Sequence, residues 1–211
     1  MEKKKTNSGL SKIGMPTTKR TVLVTGFGPF GVHKVNASWV VVQHVAKLGL
    51  GDDVCLIVKE VPVAYKSVKT DIPLLWSEFN PVLVIHVGVS GIANTLTLEQ
   101  IAHNDGYFLD DINDYHPENN KCVEGAEDTI SSEINMQLIC DAVNNSDKFT
   151  AVVSEDAGRY LCDYSYFTSL YIDRTRCAFI HVPTLDKGYT SEELAQGVKM
   201  AILLMLEQIS S

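Results

Sequence analysis

The apolar positions of this chain fall into short runs separated by polar punctuation. Val22, Leu23 and Val24 sit between Thr21 and Thr25, and the run stops at Gly26, the pattern of a buried strand. Residues 36–48 change period, with Trp39, Val40, His44 and Leu48 recurring near one face of a helix. Residues 54–63 predict a second strand, closed by Pro62. Residues 64–79 predict a helix in which Pro73 marks a kink or break. The run from Pro81 to Gly88 is the strongest strand pattern, and 96–101 predicts another. Helical spacing returns at Ile134, Leu138, Ile139 and Ala142. Residues 149–154 read as a strand, 159–172 as a helix and 176–182 as the last strand. Thr190 and Glu193 form a capping box, and Leu194, Val198, Ala201 and Met205 follow at helical spacing, so an amphipathic helix is expected near the end.

Strands alternating with helices predict βαβ units. The expected fold class is α/β: a single domain over 21–211, with a twisted, mostly parallel sheet flanked by helices on both faces, an α/β/α sandwich. Two stretches depart from the alternation. Residues 1–20 are polar and basic, with Lys3, Lys4, Lys5, Lys12, Lys19 and Arg20 and no apolar core behind the charges, so a flexible basic tail is expected rather than a signal peptide. Residues 104–127 gather Asp105, Asp110, Asp111, Asp114, Glu118, Glu124 and Glu127 among Asn and Gly. Loops of that length usually serve as functional lids or are mobile.

Composition narrows the function classes. The 211 residues are 45% hydrophobic and 21% charged, with a formal charge of −8. An acidic balance argues against nucleic acid and against an anionic membrane surface as partners. No window approaches the apolar length of a membrane span. Five cysteines, Cys55, Cys122, Cys140, Cys162 and Cys177, are odd in number, widely spaced and without Cys-x-x-Cys. Neither a disulfide framework nor a zinc ribbon fits, and a cytoplasmic chain with reduced thiols is expected. His33, His44 and His116 show no ligand spacing, so neither metal nor cofactor is expected.

In an open α/β sheet, ligands bind at the carboxyl ends of the strands. Four segments are placed there: 25–31, Gly88-Val89-Ser90-Gly91 leading to Glu99, 156–162, and 180–183. The first formally fits Gly-x-Gly-x-x-Gly, but Pro29 has no N–H to offer a pyrophosphate, and two phenylalanines flank it. It reads as a tight strand-to-helix turn or an aromatic wall. Cys162 falls in the first turn of the helix expected from Arg159, where unpaired backbone N–H groups favour a thiolate. His181 ends a strand expected to lie beside the one leading to Cys162. A Cys–His pair there would serve acyl transfer, with Glu99 as a candidate to orient the imidazole. The alternative for each is a structural role. Cys55 and Cys177 are expected to be buried in strands, Cys140 to sit on a helix, and Cys122 to lie exposed in the acidic loop. His86 is expected to be a satisfied core histidine, and His103 to have a local hydrogen-bonding role.

Four stretches resemble the motifs of the pyroglutamyl-peptidase I family of cysteine peptidases, in the family's order. They are 25–31 with Asn36-Ala-Ser-Trp39, Leu98-Glu-Gln-Ile-Ala-His-Asn104, Asp156-Ala-Gly-Arg-Tyr-Leu-Cys-Asp163 and Phe179-Ile-His-Val-Pro183. The resemblance runs from about Thr21 to the end and is nearest to the animal branch. It implies removal of an N-terminal pyroglutamyl residue from peptides through an acyl-enzyme. It also implies Cys162 as nucleophile, His181 as acid/base and Glu99 as third member. Phe27 and Phe30 would line the pocket of the flat lactam, Asn36 would hold the first loop, and Val89 would contribute backbone contacts. Asn36 could equally be a plain helix N-cap, and the phenylalanines plain core. Microbial members carry Gln and Arg where this chain has Val89 and Ala93, which puts side-chain contacts there in doubt.

Two other readings compete. A non-catalytic module on the same scaffold would bind pyroglutamyl or other blocked termini without turnover. A nucleoside-phosphorylase-like enzyme would need basic residues near the glycine-rich loop, where only Lys34 stands. The expected assembly is a monomer or a homo-oligomer.

Overall fold

The computed structural model describes residues 19–31 and 34–210; the basic segment 1–18 lies outside the described residues. Among the described residues, eight strands and five helices follow in chain order, with β3 to β6 running together without a helix between them. They are β1 (Arg20–Phe27), α1 (Ala37–Leu48), β2 (Val54–Val61), α2 (Tyr65–Phe79), β3 (Leu83–Ser90), β4 (Leu96–Glu99), β5 (Ile101–His103), β6 (Thr129–Ser131), α3 (Met136–Asn144), β7 (Ala151–Ser154), α4 (Leu161–Ile172), β8 (Cys177–Pro183) and α5 (Ser191–Gln208). Six strands make one sheet in the order β2-β1-β3-β8-β4-β7, and β5 with β6 make a separate ribbon. Within the large sheet every pairing is parallel except β4 on β8.

The two-residue period of a strand sorts its side chains onto opposite faces. Val22 and Val24, Ile85 and Val87, Leu96 and Leu98, and Ala178, Ile180 and Val182 share one core with residues of α1, α3 and α5. Leu23 and Phe27, Val84, Cys177 and Phe179 share the other with α2, α4 and the ribbon. The result is the expected α/β/α sandwich, with helices on both faces.

Several boundaries and faces differ from expectation. Arg20, assigned to the tail, is the first residue of β1 and pairs with Asp53 at 2.7 Å. α1 buries Ala37, Ser38, Val41, Val42 and Val45 rather than the face carrying Leu48, which is exposed. Trp39 and His44 are only half-buried there, and Gly26 lets α1 lie close on β1. A β-carbon on Gly26 would come within 2.9 Å of the Trp39 Cα. Pro73 lies inside α2 without ending it. The residue faces solvent, where water can satisfy the carbonyl it leaves unbonded. The strand expected over 96–101 breaks at Gln100 into β4 and β5, and the three-residue β6 is too short to show a period in the sequence.

The acidic stretch after His103 is tied down rather than hanging free. Tyr107 is fully buried, and Cys122, expected to be exposed, is buried too. The Asp111 carboxylate accepts from the backbone N–H of Tyr65 at 2.8 Å and of Asn113 at 2.8 Å. Tyr65 opens α2, whose N-cap Ala64 has no side-chain acceptor, so Asp111 caps that helix from 46 residues away.

Candidate active site

The period-2 rule assembles the site. His181 shares the α4-facing side of β8 with Cys177 and Phe179, and Gly88 shares that side of β3 with Val84 and His86. Thr97 is directly opposite His181 in the antiparallel β4–β8 pair, and Glu99 pairs with Phe179 two residues along. Glu99 is therefore the diagonal neighbour of His181 on the same face, within reach of a long side chain. Its Oε1 lies 2.7 Å from His181 Nδ1, with both side chains almost fully buried. A carboxylate on Nδ1 holds the proton there and turns Nε2 towards the cavity.

Cys162 occupies the second position of α4. The first intrahelical bond runs from Tyr164 N–H to the Tyr160 carbonyl at 3.0 Å. The N–H groups of Leu161, Cys162 and Asp163 precede it and have no acceptor within the helix. The N-cap Tyr160 supplies no side-chain acceptor either. The helix thus begins with free N–H groups beside a half-buried thiol, facing a cavity of about 730 Å³.

Cys162 and His181 line the same cavity, and Cys162 is near enough to act on the charge of the imidazole. Burial alone would push the His181 imidazole towards its neutral form. The charge of Cys162 and its hydrogen bond, then those of Glu99, reverse this and raise it to about 10. The imidazole beside Cys162 and Glu99 is therefore held towards its charged form at neutral pH.

The cavity is lined by Phe27, Phe30, Asn36 and Val89 as well as by Glu99, Cys162 and His181. Asn36 caps α1 and also holds the loop before it. Its Oδ1 accepts from Ser38 N–H at 3.1 Å and Ser38 Oγ at 2.8 Å, and its Nδ2 donates to the Gly28 carbonyl at 3.0 Å. Ser38 Oγ in turn accepts from Phe27 N–H at 3.0 Å. The two roles proposed for Asn36 are one network, and it fixes the backbone of Phe27. Val89 is half-buried and Ala93 is buried, and both line the cavity.

Three expectations about the neighbourhood fail. β8 is not beside β7, the strand leading to Cys162, because β4 lies between them. The segments also do not all sit at carboxyl ends on one edge. β4 runs antiparallel to β8, so Glu99 comes from a strand pointing the other way. Cys55, expected to be buried, is exposed on the edge strand β2. Cys122, Cys140 and Cys177 are buried. His86 is the satisfied core histidine expected: Nδ1 is 2.6 Å from Thr25 Oγ1 and Nε2 is 2.7 Å from Ser169 Oγ. Among the described residues no cluster of three or more His, Cys, Asp or Glu could hold a metal ion.

One group went unread in the sequence. Asp163, the residue after Cys162, is wholly buried. Burial raises its carboxyl to about 7, opposed by the Arg159 charge and by hydrogen bonds from His103 N–H and Tyr107. A charged residue at the third position of a helix looks in sequence like an ordinary dipole partner, so nothing marked it.

Comparison with known proteins converges on one family. The pyroglutamyl peptidase family model matches residues 20–208. Pyroglutamyl-peptidase 1 of Rattus norvegicus is 49% identical over 193 residues, covering 91% of this chain and 92% of the rat protein. Pyroglutamyl-peptidase 1 of Homo sapiens is 48% identical over 194 residues, covering 92% of this chain and 93% of the human protein. Among solved structures, pyrrolidone carboxyl peptidase from Thermococcus litoralis shares the fold with a TM-score of 0.82 at 24% identity, covering 90% of this chain and 95% of that one.

Proposed function

The chain belongs to the pyroglutamyl peptidase family, and from that premise we propose that Cys162, His181 and Glu99 carry its hydrolysis of the bond after an N-terminal pyroglutamyl residue. The observation that carries this assignment is the His181 imidazole held by Glu99 Oε1 at the wall of a cavity that Cys162 also lines.

The Cys162 thiolate, stabilised by the imidazolium, attacks the exocyclic carbonyl carbon of the pyroglutamyl residue. The negative oxygen that forms is received by free N–H groups at the start of α4, including that of Cys162. His181 gives its Nε2 proton to the leaving amine as the C–N bond breaks. Water then attacks the thioester with His181 as base, releasing free pyroglutamate and restoring the thiol pair. Glu99 keeps the imidazole in one orientation and balances its charge.

Phe27 and Phe30 form the walls proposed for the flat lactam, with Asn36 fixing the loop that bears them and Val89 offering backbone contacts. A blocked amino terminus carries no charge, whereas a free ammonium would have to lose its hydration in an apolar pocket. The substrates are thus peptides with pyroglutamyl N-termini, and 21–211 is the catalytic unit. Five free thiols suit a reducing compartment, and no helix among the described residues is long and apolar enough to cross a membrane. The cytoplasm is the proposed location.

The test is release of a fluorescent amine from a pyroglutamyl amide, comparing the protein with Cys162→Ser. Turnover lost in the variant supports the assignment. Full activity in Cys162→Ser refutes the nucleophile, and binding without turnover by the unaltered protein refutes the mechanism.

A further inference from the structure

A helix that leaves its first N–H groups free for an oxyanion cannot also cap itself. α4 has no side-chain cap at Tyr160, so something else must hold its first turn in place. Asp163 points from that turn into the protein. Its two carboxylate oxygens each accept from the backbone N–H of His103 at 3.2 Å. The Tyr107 hydroxyl bridges the His103 carbonyl and Asp163 Oδ2, lying 3.2 Å from the latter. Arg159 Nη1 reaches Asp163 Oδ2 at 3.5 Å and Asp156 Oδ1 at 2.6 Å, closing the loop that leads into the helix. Asp156 lines the catalytic cavity and also accepts from Gly158 N–H at 3.0 Å.

We propose that Asp163 is the positioning residue for the nucleophile: it clamps the first turn of α4 to β5, to Tyr107 and to Arg159, and so sets where the Cys162 thiol and the oxyanion-binding N–H groups stand. The inference rests on the peptidase reading above. Asp163 sits at the third helix position and Cys162 at the second, so their side chains diverge by the 100° step of a helix, one into the protein and one towards the cavity. Asp163 therefore touches no substrate and acts through the backbone it anchors. Arg159 is its counter-ion. His103 Nδ1 lies 3.7 Å from Asp163 Oδ2, but burial first, and then the Arg159 charge, hold that imidazole below its usual range. The same clamp joins the root of the acidic excursion to the active site, because His103, Tyr107 and the 104–127 stretch follow one another in the chain. A displacement of about 1 Å in a reacting group costs roughly 100-fold in rate, so a clamp of this kind is felt in turnover before it is felt in binding.

The experiment compares Asp163→Ala, Asp163→Asn and Tyr107→Phe with the unaltered protein. kcat and KM are measured on a pyroglutamyl aminocoumarin amide, and alkylation of individual cysteines by iodoacetamide is followed by peptide mass spectrometry. Exposed Cys55 is the internal control for alkylation. Asp163→Ala is expected to lower kcat by about 10-fold or more with KM within about threefold, and to change Cys162 alkylation while leaving Cys55 unaltered. Asp163→Asn keeps an acceptor oxygen in place and is expected to restore kcat to within about fivefold of the unaltered protein. Should Asp163→Ala not fold, Tyr107→Phe removes one partner at constant shape and is expected to lower kcat a few-fold at unchanged KM. Unaltered kcat in Asp163→Ala, or in Tyr107→Phe where the former does not fold, overturns the proposal. So does a parallel loss in kcat, KM and folding stability that Asp163→Asn shares. Failure of the peptidase reading is distinct: the unaltered protein would then release no amine, while the alkylation comparison would still report whether Asp163 positions Cys162.

Discussion

Gly88 lies directly against the sulfur of Cys162: a β-carbon at position 88 would stand 2.8 Å from Cys162 Sγ and 2.7 Å from Cζ of the Phe179 ring. Both neighbours are held, Cys162 by α4 and Phe179 inside the core, where its ring centroid is 4.8 Å from that of His181. Gly88→Ala must therefore displace either the thiol or the aromatic ring that supports the histidine. The expected outcome is a loss in kcat of about 100-fold, with a stability loss of roughly 1–3 kcal/mol. Steady-state kinetics and thermal unfolding check it, and a fully active, fully stable variant would show that the contact does not constrain the site.

Glu99→Gln keeps a hydrogen-bond acceptor beside His181 Nδ1 but removes the charge. The imidazole loses the Glu99 charge that helps to raise it, so its pKa falls from about 10 towards the ordinary range. The folded-state value lies above the unfolded one, so the pair stabilises the fold below about pH 6.5 and loses that contribution as pH rises through about 10. In activity, the alkaline limb of the kcat/KM profile is expected near pH 10 in the unaltered protein and at lower pH in Glu99→Gln, with kcat down by about 100-fold or more. Superimposable pH profiles would rule out Glu99 as the partner that charges His181.

Acid stability is expected to depend on His86. Its burial lowers the imidazole to about 3, and both ring nitrogens are occupied by Thr25 and Ser169. This contribution is complete above the unfolded value near pH 6.5 and is lost as pH falls towards 3, at up to about 1.4 kcal/mol per pH unit. Denaturant unfolding at pH 7 and pH 4 should show this slope, and His86→Gln, which cannot take up a proton, should flatten it. An equal slope in both proteins would assign acid sensitivity to other groups.

The five thiols should separate by reactivity. Cys55 is exposed and Cys162 lines the cavity, while burial pushes the Cys122 thiol up to about 12 and the Cys177 thiol higher still. Brief alkylation is expected to modify Cys55 and Cys162 first, and activity should be lost in step with Cys162 alone. Cys55→Ser should retain full activity and become insensitive to all alkylation except that at Cys162. Loss of activity tracking any other cysteine would contradict the assigned nucleophile.

Much of the fold could be read from the chain because each layer repeats its own period. The β-branched runs at 22–24 and 83–87 and the capping box at Thr190 name their elements without help from tertiary structure. What could not be read depends on partners distant in sequence. β4 and its parallel neighbour β7 both run opposite to β8 and the rest of the sheet, and no local pattern signals that reversal. The buried face of α1 runs through Ala37, Val41, Val42 and Val45 rather than through Trp39, His44 and Leu48, a choice between two partly apolar stripes that is made by the sheet it packs on. Of the site, Cys162 and His181 could be argued from a helix start and a strand end, but Glu99 joins them only through the antiparallel register. Asp163 was hidden for the opposite reason: the acceptor is obvious, while its donors, His103 N–H and Tyr107, lie more than 50 residues away.

The reversed strand β4 has a consequence for how the molecule comes into being. His181 and Glu99 are 82 residues apart in the chain, and β4 meets β8 only where β8 also pairs with β3. Long-range pairings of this kind close late and slowly, because loop entropy must be overcome before the contact is made. No N-terminal fragment of the nascent chain, and no product of proteolysis between the two strands that lets them separate, would hold the imidazole in its charged state. Enzymatic turnover is thus a readout of a finished sheet, and the proposed nucleophile gains its histidine partner only when β8 is in place.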